Sequence, residues 1–239
     1  MGQLQVGPIG LLPPSAASQG IFQPEKGSGY QLLEGEHVPE DEVIKTAAEK
    51  LLTLRNPTLF PGPMLVWGWT DETIHKAELI MDLVREVPGM NVIPMPDYRP
   101  IYPKIDPEAV INPCHPNLTI QHNKIHTCIL IGVHCHFANI TLKMIRANTN
   151  CYTMAFCQYD GHEDALLSIR DIDGAKIIKI TQAIKDAKKD GVEPWALTPK
   201  GKAELEEIAA GKAERAKTTK ENVSLFMGDL EQGLDENSE

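Results

Sequence analysis

The stretch Thr127-Cys128-Ile129-Leu130-Ile131-Gly132-Val133 contains the most continuous apolar run of the chain. Its apolar residues do not alternate with polar ones, which is typical of a strand that is covered on both faces. A helix is predicted after it, from about Phe137 to Ala147, and Cys151 to Cys157 is the next predicted strand. This order indicates a parallel sheet with the Thr127–Val133 strand at its centre.

The sequence before this stretch shows the same alternation of strands and helices. Four elements are predicted there: a helix from about Pro39 to Leu54, a buried strand at Met64–Trp67, a helix that ends at Pro88-Gly89, and a strand from Asn91 to Met95. We therefore predict an α/β domain with a doubly wound parallel sheet over residues 38–190.

The flanking segments differ from this domain in composition. Residues 1–37 are rich in Gly, Pro and Ser, and we predict either a disordered arm or an extended arm that lies across a partner. A Pro-rich loop is predicted from Pro96 to Pro116, and further helices near residues 163–170, 174–189 and 199–216. Residues 191–239 are predicted to be a helical extension with an acidic tail.

Composition excludes several classes of function. The formal net charge is −10, whereas nucleic-acid and anionic-membrane surfaces require a basic footprint. The apolar runs are far shorter than a transmembrane helix. Five cysteines, an odd number without framework spacing, are typical of reduced thiols in the cytoplasm. We thus predict a cytoplasmic protein that binds neither nucleic acid nor membranes.

Two glycine turns could bring the backbone close to an anion. Trp67-Gly68-Trp69-Thr70 and Gly132-Val133-His134 each follow a predicted strand and precede a predicted helix, whose N-terminus favours negative charge. Neither turn is a complete dinucleotide fingerprint or phosphate loop. A glycine that is needed only for steric reasons is the favoured explanation of each turn, since many strand–helix turns need one without binding a ligand.

Metal binding and catalysis are less well supported. His134-Cys135-His136 and the cysteines at 128, 151 and 157 lack the C-x-x-C pairs that zinc and iron–sulfur sites usually use, so no metal is predicted. Cys128 and Cys157 are interpreted as small hydrophobes in strands. Cys135 at a helix N-terminus is expected to have a lowered pKa, which would permit reactivity, but a half-buried, unreactive thiol is the favoured interpretation. Residues 117–120 are interpreted as extended, which argues against a shared helical face for His122 and His126. No catalytic set is predicted.

The stretch Ile129–Asn139 and the helix residues Leu142, Lys143 and Ile145 resemble the core of one family. That family is the ε subunit of archaeal carbon monoxide dehydrogenase/acetyl-CoA synthase complexes, and the Leu65–Gly68 segment is similar to its first strand and glycine turn. The resemblance implies a sheet like the central domain of thiamine-diphosphate enzymes. It also implies a non-catalytic subunit with protein partners and a suggested role for FAD.

The resemblance and the glycine turns together define the candidate cofactor-binding residues, which are Gly68, Thr70, Gly132, His134, Asn139 and Tyr159. Family-like proteins also accompany 2-oxoacid:ferredoxin oxidoreductases. We therefore predict an accessory subunit of one of these two oxidoreductase complexes. The alternative is a small flavin- or nucleotide-binding redox protein that uses the glycine turns at 68 and 132.

Overall fold

The computed structural model describes residues 23–95, 111 and 115–214. The strands are β1 Tyr30–Leu33, β2 Glu36–Pro39, β3 Thr58–Pro61, β4 Asn91–Val92, β5 Thr127–Ile131, β6 Tyr152–Phe156 and β7 Leu167–Ile169. The helices between them are α1 Glu40–Thr53, α2 Pro63–Val66, α3 Asp71–Glu86, α4 Pro116–His122, α5 Cys135–Asn148 and α6 Gly174–Lys189.

The strands form one sheet in the order β2-β1-β7-β6-β5-β3-β4. The five strands from β7 to β4 run parallel, and β5 is the middle strand of these five. β1 pairs antiparallel with both β2 and β7, so the sheet is mostly parallel rather than wholly parallel. The chain passes from β3 outward to β4 and then returns to the opposite side of β3 as β5, which makes the β3–β5 pair the switch point of the topology.

Helices cover both faces of the sheet. Ile129 and Ile131 of β5 pack in one core with α1, α3 and α6, whereas Cys128 and Leu130 pack in a second core with α4 and α5. All five residues of β5 are buried, which confirms the interpretation of its continuous apolar run. The α/β architecture and the helices predicted around residues 39–54, 137–147 and 174–189 are confirmed.

The first parallel strand was wrongly assigned. Met64–Trp67 was interpreted as a buried strand, but Pro63–Val66 is the short helix α2, and the strand is Thr58–Pro61. Pro57 precedes this strand and Pro61 is its last residue, a composition typical of a turn. Pro61 closes the strand, a position that proline tolerates, and Pro63 occupies the first turn of α2, where its missing N–H costs nothing.

Two further assignments were wrong. Residues 163–170 were predicted to be helical, yet Leu167–Ile169 is β7, because its apolar residues are buried in the sheet beside β6. Residues 117–120, interpreted as extended, belong to helix α4, which begins with Pro116. His126 lies beyond the end of this helix, so His122 and His126 share no helical face.

The N-terminal part of the domain begins earlier than predicted. Residues 30–37 were assigned to the arm, but β1 and the first half of β2 lie within them and extend the sheet. Residues 1–22 of the arm and most of the Pro-rich loop lie outside the described residues. The chain divides into two compact units after residue 195, and the second unit contains a helix over 199–214, where a helix was predicted.

Candidate functional site

The switch point of the sheet is closed by direct backbone packing. The N–H of Gly62 donates to the carbonyl oxygen of Ile131 at 2.8 Å, and a Cβ on Gly62 would overlap the carbonyl oxygen of Gly132. Gly132 has a φ of +68°, and a Cβ there would lie 2.8 Å from the Leu65 side chain. The strand ends therefore meet without a gap, and α2 covers them.

A cavity of about 80 Å³ lies beside this closed point, toward the ends of β5 and β6. Its lining includes Leu65, Lys76, Gly132, His134, Cys157 and Tyr159. Pockets that hold drug-sized ligands, which are smaller than a flavin dinucleotide, are usually ~300–1,000 Å³. The cavity is thus large enough for a few water molecules or a small ligand, but not for a flavin unless the surrounding loops separate.

Cys157 and His162 form the chemical centre of this region. Cys157 follows β6 directly, and its Sγ accepts a hydrogen bond from the backbone N–H of Tyr159 at 3.4 Å. His162 is 3% exposed, its backbone N–H donates to Oγ of Ser168 at 2.8 Å, and its Nδ1 lies 2.7 Å from Oδ1 of Asn139 on α5. Burial alone would oppose ionisation, but hydrogen bonds from the His162 ring and from the Tyr159 and Gly161 backbone lower the pKa of Cys157 to about 6.

Cys135 completes the group. It is the first residue of α5, it is exposed, and its Sγ lies within 4.8 Å of the ligand atoms of Cys157 and His162. Partial desolvation of its sulfur by the surrounding protein and the adjacent Cys157 raise its pKa, which contradicts the lowered pKa expected at a helix N-terminus. The lowered pKa belongs to Cys157 instead, which is buried, as expected of a small hydrophobe, but also contacts polar groups.

The predicted site residues fall into two places. Gly132, His134 and Tyr159 line the cavity, and Asn139 orients His162 behind it. Gly68 has a φ of +58° but lies in a groove on the other side of α2, while the Thr70 hydroxyl accepts from the N–H of Thr73 and caps α3. The structure thus brings together four of the six residues, and their contact with a cofactor remains a prediction.

The groove beside Gly68 carries an exposed apolar surface. Trp67 and Trp69 are 64% and 63% exposed. Val66, Ile74 and Met81 continue the apolar surface along α2 and α3. We call these five residues the tryptophan surface.

Sequence reasoning missed the Cys–His group because its members are 22 and 5 residues apart, a spacing that no metal or catalytic motif uses. One signal was nevertheless available. Cys135 and Cys157 follow neighbouring parallel strands, and the carboxyl ends of such strands converge at one edge of the sheet. Across the described ranges, no other set of three His, Cys, Asp or Glu side chains has this proximity.

The fold and the site define an α/β protein whose reactive side chains gather at the carboxyl edge of a mostly parallel sheet. The chain belongs to the family described as CO dehydrogenase beta subunit/acetyl-CoA synthase epsilon subunit, whose family model matches residues 23–184. This confirms the resemblance noted in the sequence. Neither the curated proteins nor the solved structures compared with the chain give a match.

Two other expectations have only partial support. Among the described residues, every helix is too short or too polar to cross a bilayer. The cytoplasmic location remains a prediction, as does the likeness of the sheet to the central domain of thiamine-diphosphate enzymes.

Proposed function

We propose that the chain is an accessory, non-catalytic subunit of a carbon monoxide dehydrogenase/acetyl-CoA synthase complex and that it docks through the tryptophan surface. The family description itself names subunits of such an assembly. The observation that carries the docking proposal is the exposure of Trp67 and Trp69, because the chain has only three tryptophans and its aromatic content is only 5%.

The chemistry of the tryptophan surface is that of a protein interface. Buried interface centres are enriched in Trp and Met, and Trp is the most frequent type of binding hot spot. A polar border lies next to these side chains on α3, where Arg85 pairs with Asp82 at 2.6 Å. An apolar centre beside a charged rim fits a folded protein partner with a complementary apolar patch.

Affinity capture under anaerobic conditions tests the proposal. The tagged chain, produced in its native host, should retain carbon monoxide dehydrogenase subunits that mass spectrometry identifies. Retention of 2-oxoacid:ferredoxin oxidoreductase subunits instead would identify the other parent complex predicted from the sequence. Recovery of the chain without subunits of either enzyme would contradict the accessory role.

Substitutions locate the docking surface. Trp67→Ser and Trp69→Ser should each weaken capture by at least ~30-fold, because a hot-spot tryptophan contributes ~2 kcal/mol or more. Both side chains are mainly in solvent, so the melting temperature should hardly change. Leu118→Ser, which alters an equally exposed side chain on α4, is the matched control and should bind like wild type. Equal loss in all three variants would place the docking surface elsewhere.

The alternative, a flavin- or nucleotide-binding redox protein, has one observation in its favour. The five parallel strands have the order β4-β3-β5-β6-β7, and open α/β sheets bind ligands at the switch point of such an order. The Gly62–Gly132 packing and the small cavity oppose it. FAD, FMN and NAD should accordingly give no rise in melting temperature, whereas a yellow purified protein would support the alternative.

A further inference from the structure

We propose that Cys135, Cys157 and His162 bind one thiophilic divalent metal ion, with zinc as the expected ion and one coordination position left open. Their three ligand atoms already lie within 4.8 Å of one another. Zn–S and Zn–N bonds of about 2.3 and 2.0 Å place the ligand atoms of a tetrahedral site about 3.5–3.8 Å apart, up to about 1 Å closer than this bound. Only small side-chain movements are therefore needed to close around an ion.

The imidazole is held in the orientation that a metal requires. The amide oxygen of Asn139 only accepts hydrogen bonds, so the Nδ1 atom of His162, at 2.7 Å, carries the hydrogen. This arrangement leaves Nε2 as the metal ligand. Metal-binding histidines usually donate their second ring nitrogen to such an oxygen, which fixes the tautomer and the plane of the ring.

Both sulfur atoms are available to a metal as thiolates. The Tyr159 N–H donates to Sγ of Cys157, as backbone N–H groups commonly do toward negative sulfur. Cys135 stands exposed at the first position of α5, and its thiol proton is released when a metal binds. Two thiolates and one imidazole suit zinc and exclude magnesium and calcium, which require oxygen ligands.

The open position is the feature that separates this site from a closed structural one. Structural zinc sites have four protein ligands, whereas three protein ligands leave room for water or an exogenous group. Since Cys135 is exposed while Cys157 and His162 are buried, the open position faces the surface side of the cluster.

A second cysteine pair provides an internal comparison. Sγ of Cys151 lies 3.7 Å from Sγ of Cys128, and both residues are buried. This pair has as many sulfurs as the proposed site, but it belongs to no group of three potential ligands among the described residues. Cys151→Ala is therefore a matched control for the loss of one thiol.

The experiment uses the 239-residue chain, purified anaerobically with a reductant and stripped with a chelator. Titration with Zn²⁺ against a chromophoric competitor should show one equivalent bound. Co²⁺ should give the sulfur-to-metal charge-transfer absorption that reports thiolate ligands. Cys135→Ser should remove this absorption and lower the zinc affinity by more than ~100-fold. Asn139→Leu should lower the zinc affinity by ~10–100-fold, as loss of the hydrogen-bond partner of a metal-binding histidine commonly does. Cys151→Ala should bind one equivalent like wild type.

Three results would overturn the proposal: no zinc bound by the reduced wild-type chain, unchanged binding in Cys135→Ser, or an equal loss in Cys151→Ala. Circular dichroism of each variant shows that it is folded, and Cys135→Ser alters an exposed side chain that the core does not need. A disulfide between Cys135 and Cys157 in the chain purified without reductant, combined with no zinc binding after reduction, would indicate a redox pair instead.

Discussion

Nδ1 of His162 and Oδ1 of Asn139 lie 2.7 Å apart although the two residues are separated by 23 positions and belong to a loop and a helix. The contact joins the segment after β6 to α5. It also gives a hydrogen-bond partner to the ring nitrogen of His162, a residue that is only 3% exposed. The position of His162 beside the cysteines thus depends on Asn139.

Asn139→Leu should lower the free energy of unfolding by ~1–3 kcal/mol, because it leaves a buried ring N–H without an acceptor. Urea denaturation of the metal-free, reduced chain measures this change. Asn148→Ala is the control on the same helix. Its amide binds the Met144 carbonyl at the surface, so the substitution should cost less than ~0.5 kcal/mol. Equal losses in both variants would mean that the His162 contact contributes nothing specific.

Gly132→Val should lower the free energy of unfolding by ~1–3 kcal/mol or more, since a branched side chain must adopt a positive φ and also displaces Leu65. Thermal or urea denaturation measures the loss. Gly191→Ala shares the positive φ but meets no atom within 4 Å, so it should cost less. His134→Ala should cost less than ~1 kcal/mol. A Gly132→Val variant as stable as wild type would show that the turn is wrongly described.

Thr70→Ala should cost ~1 kcal/mol, because it removes the hydroxyl that accepts from the Thr73 N–H and caps α3. It leaves only the other half of the capping box, in which the Thr70 N–H donates to Oγ1 of Thr73. Thr70→Ser keeps a capping hydroxyl and should lose much less stability than Thr70→Ala. Thr46→Ala removes a hydroxyl that binds the carbonyl four residues earlier within α1, and it should be nearly neutral. If Thr70→Ala changed ligand binding but not stability, the capping role would be wrong.

Glu40 links the first hairpin to two helices and should make stability depend on pH. Burial alone would raise the pKa of its carboxyl, but hydrogen bonds from Lys176 and Gln31, together with the Lys176 charge and Lys179, lower it below the ordinary 4.5. A lowered pKa in the folded state contributes stability that is present above the unfolded pKa and is lost as the pH falls through the folded value.

Chemical denaturation at several pH values tests this sign. Wild type should lose stability as the pH falls below about 4.5, the ordinary carboxyl value. Glu40→Gln should lose less over the same window, because it has no carboxylate to protonate. Glu42→Gln, at an exposed position in the same helical turn, should retain the wild-type slope. A Glu40→Gln profile parallel to that of wild type would exclude this contribution.

The sequence was sufficient to predict elements whose apolar pattern matches their burial. Thr127–Ile131 is buried throughout, and α1 places its apolar residues at helical spacing toward the core. It was not sufficient for β3, since a four-residue strand closed by Pro61 has the local composition of a turn. Only its pairing with β4 and β5 stabilises it as a strand. Such pairing is a tertiary property that local propensity does not encode.

The Cys–His group illustrates the same limit at the level of the site. Each member was visible as a residue type, but their proximity depends on the order of β5 and β6 in the sheet and on the loop that returns to His162. That loop passes Gly161 at a φ of +78°, where a Cβ would approach Gln23 and Ser168 closely. The sequence shows a glycine at this position, but it does not show that the chain turns back here toward the two cysteines.

The packing of Gly62 against Gly132 also constrains how this protein can change. Both positions lack room for even a methyl group, so amino-acid replacement at either one disturbs the scaffold before it can reshape the crevice between the strand ends. New ligand preferences are therefore accessible mainly through insertions in the loops or through changes in α2. Descendants of this chain should therefore keep both glycines, while the loops beyond the strand ends vary in length.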